Sequence, residues 1–319
     1  MNKWQKIGLV AGMGTAVVAT THIINKFIFQ SATMNKYTYR DMLPKSYNWK
    51  FGKVSYTAYG NKDASPLLLI HNLNCYSSSY EWNQVIKELA KKHYVYVLDL
   101  LGCGHSDKPH ITYTTYMYTQ LLNDFTSNII GAKTDIIATR DSAPIAISAA
   151  YTNNSLYNKI ILVSPEAITK AMVTPGKRAN IRRKLLSVPV IGTTIYNICT
   201  RKGRLEKILS NTFYNSLVPV DYLNVCHENA HLSGAACKYL FSSTECHYTT
   251  VSITNAVREL DNCIYIINGS KNEHEAATTN EYTSLNAAIE FINIPACGLL
   301  PQVEQPEEFV KQCEILLFN

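Results

Sequence analysis

A chain of 319 residues with 46% hydrophobic and 17% charged residues excludes a disordered or low-complexity protein and is long enough to bury a sizeable core. The net charge of +6 permits contact with an anionic membrane or nucleic acid, but the basic residues are not interleaved with the aromatic platforms of nucleic-acid binders, so no nucleic-acid partner is expected. The nine cysteines are scattered, odd in number and lack a CxxC pair; they read as buried free thiols in a reducing compartment, and no metal or other cofactor is indicated.

From the N-terminus, Ile7 to Asn25 is a 19-residue stretch without an acid, lysine or arginine. That length suits a single membrane span, so residues 1–30 are expected to form an uncleaved anchor, with a cleaved signal-like segment or a surface-lying helix as the alternatives. Lys3 and Lys6 precede it and Lys26, Lys36, Arg40 and Lys45 follow, so the flanking charges choose no side. The free thiols tilt the expectation towards a domain facing the cytoplasm.

From Asn48 onward strands and helices alternate. "WKFGKVSYTAYG" predicts an early strand pair, and "PLLLIH" a strand covered on both faces. "SSYEWNQVIKELAKK" has helical periodicity, with Trp82, Val85, Ile86 and Leu89 on one face. "YVYVLDL", "DIIAT", "KIILVSP", "CIYIING" and "IEFINIP" read as further strands, with "YTQLLNDFTSNII", "APIAISAAYTN", "NEYTSLN" and "PEEFVKQCEILLF" as helices. This alternation predicts an α/β fold with a mostly parallel sheet and helices on both faces. Its core would be residues 46–166 and 262–319. Residues 167–261 break the alternation and read as a helical cap over the carboxyl edge of the sheet. Within it, Ile168 to Ser210 carries ten basic residues and one acid, a net +9 that suits anionic lipid headgroups as well as solvent.

Several of these stretches, in order, resemble the capped branch of the α/β-hydrolase superfamily. "PLLLIHNLNCYSSSYEW" looks like its strand and oxyanion loop, "VYVLDLLGCGHSDKP" like the next strand and glycine turn, and "IIATRDSAPIAI" like its nucleophile elbow. "IYIINGSKNEH" occupies the acid loop and "IPACGLLPQVEQPEEF" the histidine loop. The resemblance implies an α/β-hydrolase fold and a nucleophile–histidine–acid triad. Leu299 stands where the histidine should be, and Asn272 where the acid should be. Neither can do that work.

The elbow admits three registers. The strained turn needs small residues two before and two after the nucleophile. Ser142 as nucleophile puts Arg140 and Pro144 there; Asp141 puts Thr139 and Ala143; Arg140 puts Ala138 and Ser142, sterically best but chemically inert. Pro144 belongs in a first helical turn, which favours Ser142 or Asp141. Ser142 also reads as a plain helix N-cap. The resemblance places the oxyanion loop at His71, Asn72 and Leu73, with Leu73 and Ala143 offering backbone N–H groups. His71 reads as a hydrogen bonder that orients this loop. His274 is a weak candidate for a relocated base, and His227, His231 and His247 fall in the cap.

Three functions compete. The first is a membrane-anchored, catalytically degenerate protein that binds a small apolar molecule, a lipid or a partner under the cap. The second is an active serine ester hydrolase or lipase-like enzyme with a rearranged site around Ser142. The third is a structural role with a filled cleft.

Overall fold

A computed structural model describes residues 3–37, 44–270 and 273–318, and only the backbone at residues 3, 6–13 and 273–275. The strands are β1 (Lys45–Trp49), β2 (Gly52–Tyr59), β3 (Pro66–Ile70), β4 (Tyr94–Leu98), β5 (Thr134–Thr139), β6 (Tyr157–Val163), β7 (Ile264–Gly269) and β8 (Glu290–Ile294). They form one sheet in the order β1-β2-β4-β3-β5-β6-β7-β8. β2 pairs antiparallel with β1 and β4, and every other pairing is parallel. The apolar runs predicted these strands because β3, β5 and β7 are covered on both faces. Leu68, Ile70, Ile136, Ala138 and Ile266 face one core; Leu67, Leu69, Ile137, Val97 and Ile267 face the other.

A leading helix, α1 (Lys3–Ala32), precedes the sheet. Helices α2 (Ile86–Leu89), α3 (Thr115–Phe125) and α4 (Ala143–Thr152) lie between β3 and β6. Between β6 and β7 the chain is helical: α5 (Ile168–Ala171), α6 (Lys177–Ser187), α7 (Ile191–Cys199), α8 (Lys202–Ser210), α9 (Val220–Asn229), α10 (Lys238–Thr244) and α11 (Thr254–Glu259). Helices α12 (Glu273–Leu285), α13 (Pro301–Glu304) and α14 (Pro306–Phe318) complete the fold.

One element departs from expectation. The long helix expected over 78–92 is instead a 3₁₀ turn, Ser79–Trp82, followed by the single turn of α2. The break lets Glu81 turn inward, where it is 3% exposed, rather than sit on an outer helical face.

Helix α1 is not a free-standing tether. Its last turns dock on α7, with Asn25 and Phe29 buried. Asn25 donates to Thr194 Oγ1 at 3.0 Å and accepts from Asn197 Nδ2 at 2.9 Å. The Phe29 ring stacks against Tyr196 and tilts onto His231. Phe29 also joins Cys75, Tyr196 and Cys237 in a small core, with Tyr76 and Phe241 packed against it. Further towards the N-terminus, Val17, Val18, Ile23, Ile24 and Phe27 are exposed. Among the described residues no helix is long and apolar enough to cross a membrane.

Candidate functional site

The site forms where the crossover direction changes, between the carboxyl ends of β3 and β5, the crevice in which open α/β sheets place ligands. Residues 71–73 leave β3 on one side of this crevice. Residues 140–143 leave β5 on the other.

At the end of β5 the backbone turns sharply, and the left-handed residue is Arg140, with φ +45°. That is a strained left-handed conformation, and Asp141 and Ser142 lie in the 3₁₀ turn with it. The α-helix begins only at Ala143, so Pro144 sits in its first turn.

The guanidinium of Arg140 is ion-paired with Glu166, which also binds Lys170 Nζ at 2.6 Å. Ser142 lies beneath the turn, fully buried, and its Oγ donates to His71 O at 2.7 Å. Its single proton is therefore committed to a backbone carbonyl, and the hydroxyl makes no N-cap bond to α4. Asp141 presents its carboxyl to the cavity, where desolvation raises its pKa and the neighbouring Arg140 works against that rise.

The oxyanion loop is fully constrained. His71 is buried; Leu100 N–H donates to its Nε2 at 3.0 Å, so Nδ1 carries the proton and donates to Asn72 O at 2.7 Å. His71 holds the loop and faces no reacting group. Ala143, expected to offer its N–H to the hole, donates it to Arg140 O instead. In the Arg140 register the corresponding donor is the next residue, Asp141. Its N–H is taken: it donates to Asn72 Oδ1 at 3.1 Å. The asparagine side chain thus reaches across the crevice and ties the segment after β3 to the segment after β5. Leu73 lines the cavity close by.

Leu299 sits in the loop after β8, and the role of that loop is visible in its partners. Leu299 N–H donates to Thr212 O at 2.7 Å, and Tyr214 N–H donates to Glu304 Oε1 at 2.8 Å. Glu304 Oε2 accepts from Gly298 N at 2.7 Å. Leu300 and Val303 pack with Leu205, Leu209, Phe213 and Tyr222. The loop is a seam between core and cap. Gly298 is required there, because a Cβ would meet Thr212 O at 2.2 Å. Asn272 lies outside the described residues. His274 falls in the first turn of α12, and its side chain is likewise outside them.

Sequence reasoning missed Glu81. Buried behind the elbow, its Oε1 accepts from Thr139 Oγ1 at 2.5 Å and from Gln302 Nε2 at 2.9 Å, and its Oε2 from Asn72 N–H at 3.2 Å. It ties the elbow strand, the oxyanion loop and α13 together. Desolvation pushes its pKa up to about 7 against these hydrogen bonds. No sequence signal marks it, since a glutamate before a tryptophan in a helical pattern reads as an outer-face charge.

Under the cap lies a cavity of about 320 Å³. Leu73, Tyr76, Pro144, Leu205, Ile208 and Phe241 give it apolar walls; Asp141, Glu166, Lys170 and Glu245 are its charged lining. Cys75, Cys199 and His247 also reach it. His227 and His231 lie with rings 4.6 Å apart, and His231 contacts Phe29; burial lowers the pKa of both, that of His227 to about 4. Among the described residues no group of three His, Cys, Asp or Glu side chains could hold a metal ion. All nine cysteines are free, and seven are buried.

Residues 67–312 match the Alpha/beta hydrolase family. Uncharacterized protein Rv2715 of Mycobacterium tuberculosis is 30% identical over 152 residues, covering 47% of this chain and 42% of that protein. The chain thus spans less than half the length of that relative. Among solved structures, a serine hydrolase involved in carbazole degradation superposes with a TM-score of 0.71 at 17% identity, over 86% of this chain and 98% of the other. A membrane phospholipase A described as a bacterial virulence factor gives 0.68 at 17% identity, over 99% and 98%. A meta-cleavage product hydrolase from Pseudomonas fluorescens gives 0.70 at 17% identity, over 86% and 97%. At such identities the likeness is one of fold. With a matched segment running from β3 into α14 and a mostly parallel eight-stranded sheet under helices, the chain belongs to the alpha/beta hydrolase family.

Proposed function

We propose that this chain is a non-hydrolytic member of its family that receives a small apolar or amphiphilic molecule, such as a lipid, in the cavity under the cap. The observation that carries the reading is the occupied crevice: an ion-paired arginine at the elbow and an asparagine side chain on the neighbouring N–H. An arginine supplies no nucleophile, and a satisfied N–H gives no stabilisation to a developing oxyanion. Leu299 as the would-be base argues the same way. The cavity, with a mostly apolar lining and a few charged side chains, supports a ligand that is mostly hydrocarbon. We place the protein at a membrane through the apolar N-terminal part of α1, and the free thiols support the cytoplasmic face.

The test uses a fluorophosphonate serine-hydrolase probe on the intact chain and on Ser142→Ala. The expected result is no labelling of either. Labelling that disappears in Ser142→Ala would overturn the reading in favour of an active serine hydrolase.

A further inference from the structure

On the cap, α7 packs between α6 and α1, and α10 lies beneath both α6 and α7. Lys238 on α10 fixes the junction, its Nζ donating to Val188 O and to Thr193 Oγ1, each at 3.1 Å. The two helices approach very closely at Gly192, where a Cβ would meet Leu186 O at 2.1 Å. Leu186 of α6 and Gly192, Thr193 and Tyr196 of α7 form the side buried at this junction.

The other sides of α6 and α7 carry large apolar side chains. Ile181, Leu185 and Val188 of α6 and its end, and Ile191 and Ile198 of α7, are between 40% and 68% exposed. The spacing of Ile191 and Ile198 puts them on one side of α7, opposite the buried Tyr196 and Thr193. The turn between the helices is strained, with the β-branched Val190 at φ +63° and Ile191 N–H donating to Pro189 O at 2.7 Å. Around this apolar strip α6 supplies five basic residues and no acid. Arg182 pairs with Glu245, and Arg183 lies over the Tyr248 ring. Lys177, Arg178 and Lys184 are exposed and have no ion-pair partner among the described residues.

We propose that this α6–α7 face docks flat on an anionic bilayer, its apolar side chains entering the headgroup boundary and its lysines and arginine meeting lipid phosphates. An apolar strip edged by basic residues is what an interfacial helix presents to such a surface. Charge complementarity selects the occupant. A second copy would set the five cations of one α6 against five others, whereas an anionic lipid surface neutralises them. The docked face leaves the cavity beneath it next to the bilayer, because Cys199 of α7 and Phe241 of α10 line that cavity. The inference rests on the membrane reading of α1 only for location.

The experiment keeps the two ideas apart. The intact chain with Trp4→Phe removes the exposed tryptophan of α1; Trp49 and Trp82 remain as buried background. Single tryptophans are then introduced as Ile181→Trp, Ile191→Trp or Ile198→Trp. Phe318→Trp, beside His93 at the amino end of the sheet, serves as control. Vesicles of 70:30 phosphatidylcholine and phosphatidylglycerol, with and without brominated phosphatidylcholine, are floated and their fluorescence read. The expected result is flotation with quenching at 181, 191 and 198 and none at 318. In addition, Lys177→Gln, Arg178→Gln and Lys184→Gln together should cut the quenching at 181, 191 and 198, the docked-to-undocked ratio of the face falling about 100-fold while α1 keeps the protein on the vesicle. Flotation without quenching at the three cap positions would overturn the docked face and leave the α1 anchor standing. Equal quenching on pure phosphatidylcholine would overturn the choice of an anionic surface. Absence of flotation would overturn both the docked face and the anchor.

Discussion

Glu81 makes the stability of this protein depend on pH in a direction opposite to the common carboxylate case. Its carboxyl is buried, and its pKa rises from an ordinary 4.5 to about 7. Below about pH 4.5 the proton is bound in both the native and the unfolded chain, and Glu81 adds no pH dependence. Between about 4.5 and 7 the unfolded chain releases it while the native state keeps it, so stability falls as pH rises. Above about 7 both states are ionised and the loss is complete, on the order of 3 kcal/mol from the pKa difference. Glu81→Gln stays neutral throughout. Its amide oxygen can still accept from Thr139 and Gln302, but the N–H of Asn72 faces an NH₂ group, a pH-independent cost of about 1–3 kcal/mol. Urea unfolding of both proteins from pH 5 to 8.5, at fixed salt, measures the difference between them. The variant should be the weaker at pH 5 and gain roughly 2–3 kcal/mol relative to wild type by pH 8. Asp141 and His227 titrate in both proteins and cancel in the difference. A difference that stays flat across the range would refute the assignment of a protonated Glu81 to the native state.

Three further outcomes are expected. Arg140→Ser combined with Leu299→His, Asn272→Asp and Asn72→Gly should acquire fluorophosphonate labelling, and restoring Asn72 in that background should slow it about 10²–10³-fold, the worth of one oxyanion donor. Phe29→Ala removes the aromatic that seats α1 on Tyr196 and His231, so amide exchange of residues 25–32 should accelerate about 100-fold with β3 and β5 unchanged. Gly104→Ala places a Cβ 2.4 Å from the Asp99 carboxyl at a φ of +45°, and thermal melting should report a loss of at least about 2 kcal/mol.

The strands were legible because each is a short apolar run whose signal is local, and strand–helix alternation is enough to call a parallel sheet. The elbow was not, because its register depends on how many residues the 3₁₀ turn takes before α4 starts, and Pro144 is compatible with more than one answer. Leu299 could be seen as an absent base. Its actual work, a backbone bond to Thr212 that seams the core to the cap, involves partners 87 residues apart and leaves no trace in the motif. Asn72 reads simply as a member of the loop after β3, and only the folded crevice reveals that its side chain takes the N–H of Asp141. Glu81 was hidden for the same reason: its three partners come from three separate segments.

The bond between Asn72 and Asp141 also bears on how such a protein changes over time. An empty oxyanion hole is a small standing instability, two aligned donors held away from any acceptor until a substrate arrives. Here an acceptor has been built in, and the crevice gains about 1 kcal/mol of ordinary hydrogen bonding. Activity and stability pull against each other at such a place. Under the non-hydrolytic reading, a return to catalysis through Asn72 would pass through an intermediate that has lost the bond before it gains any chemistry. On that reading the side chain acts as a ratchet.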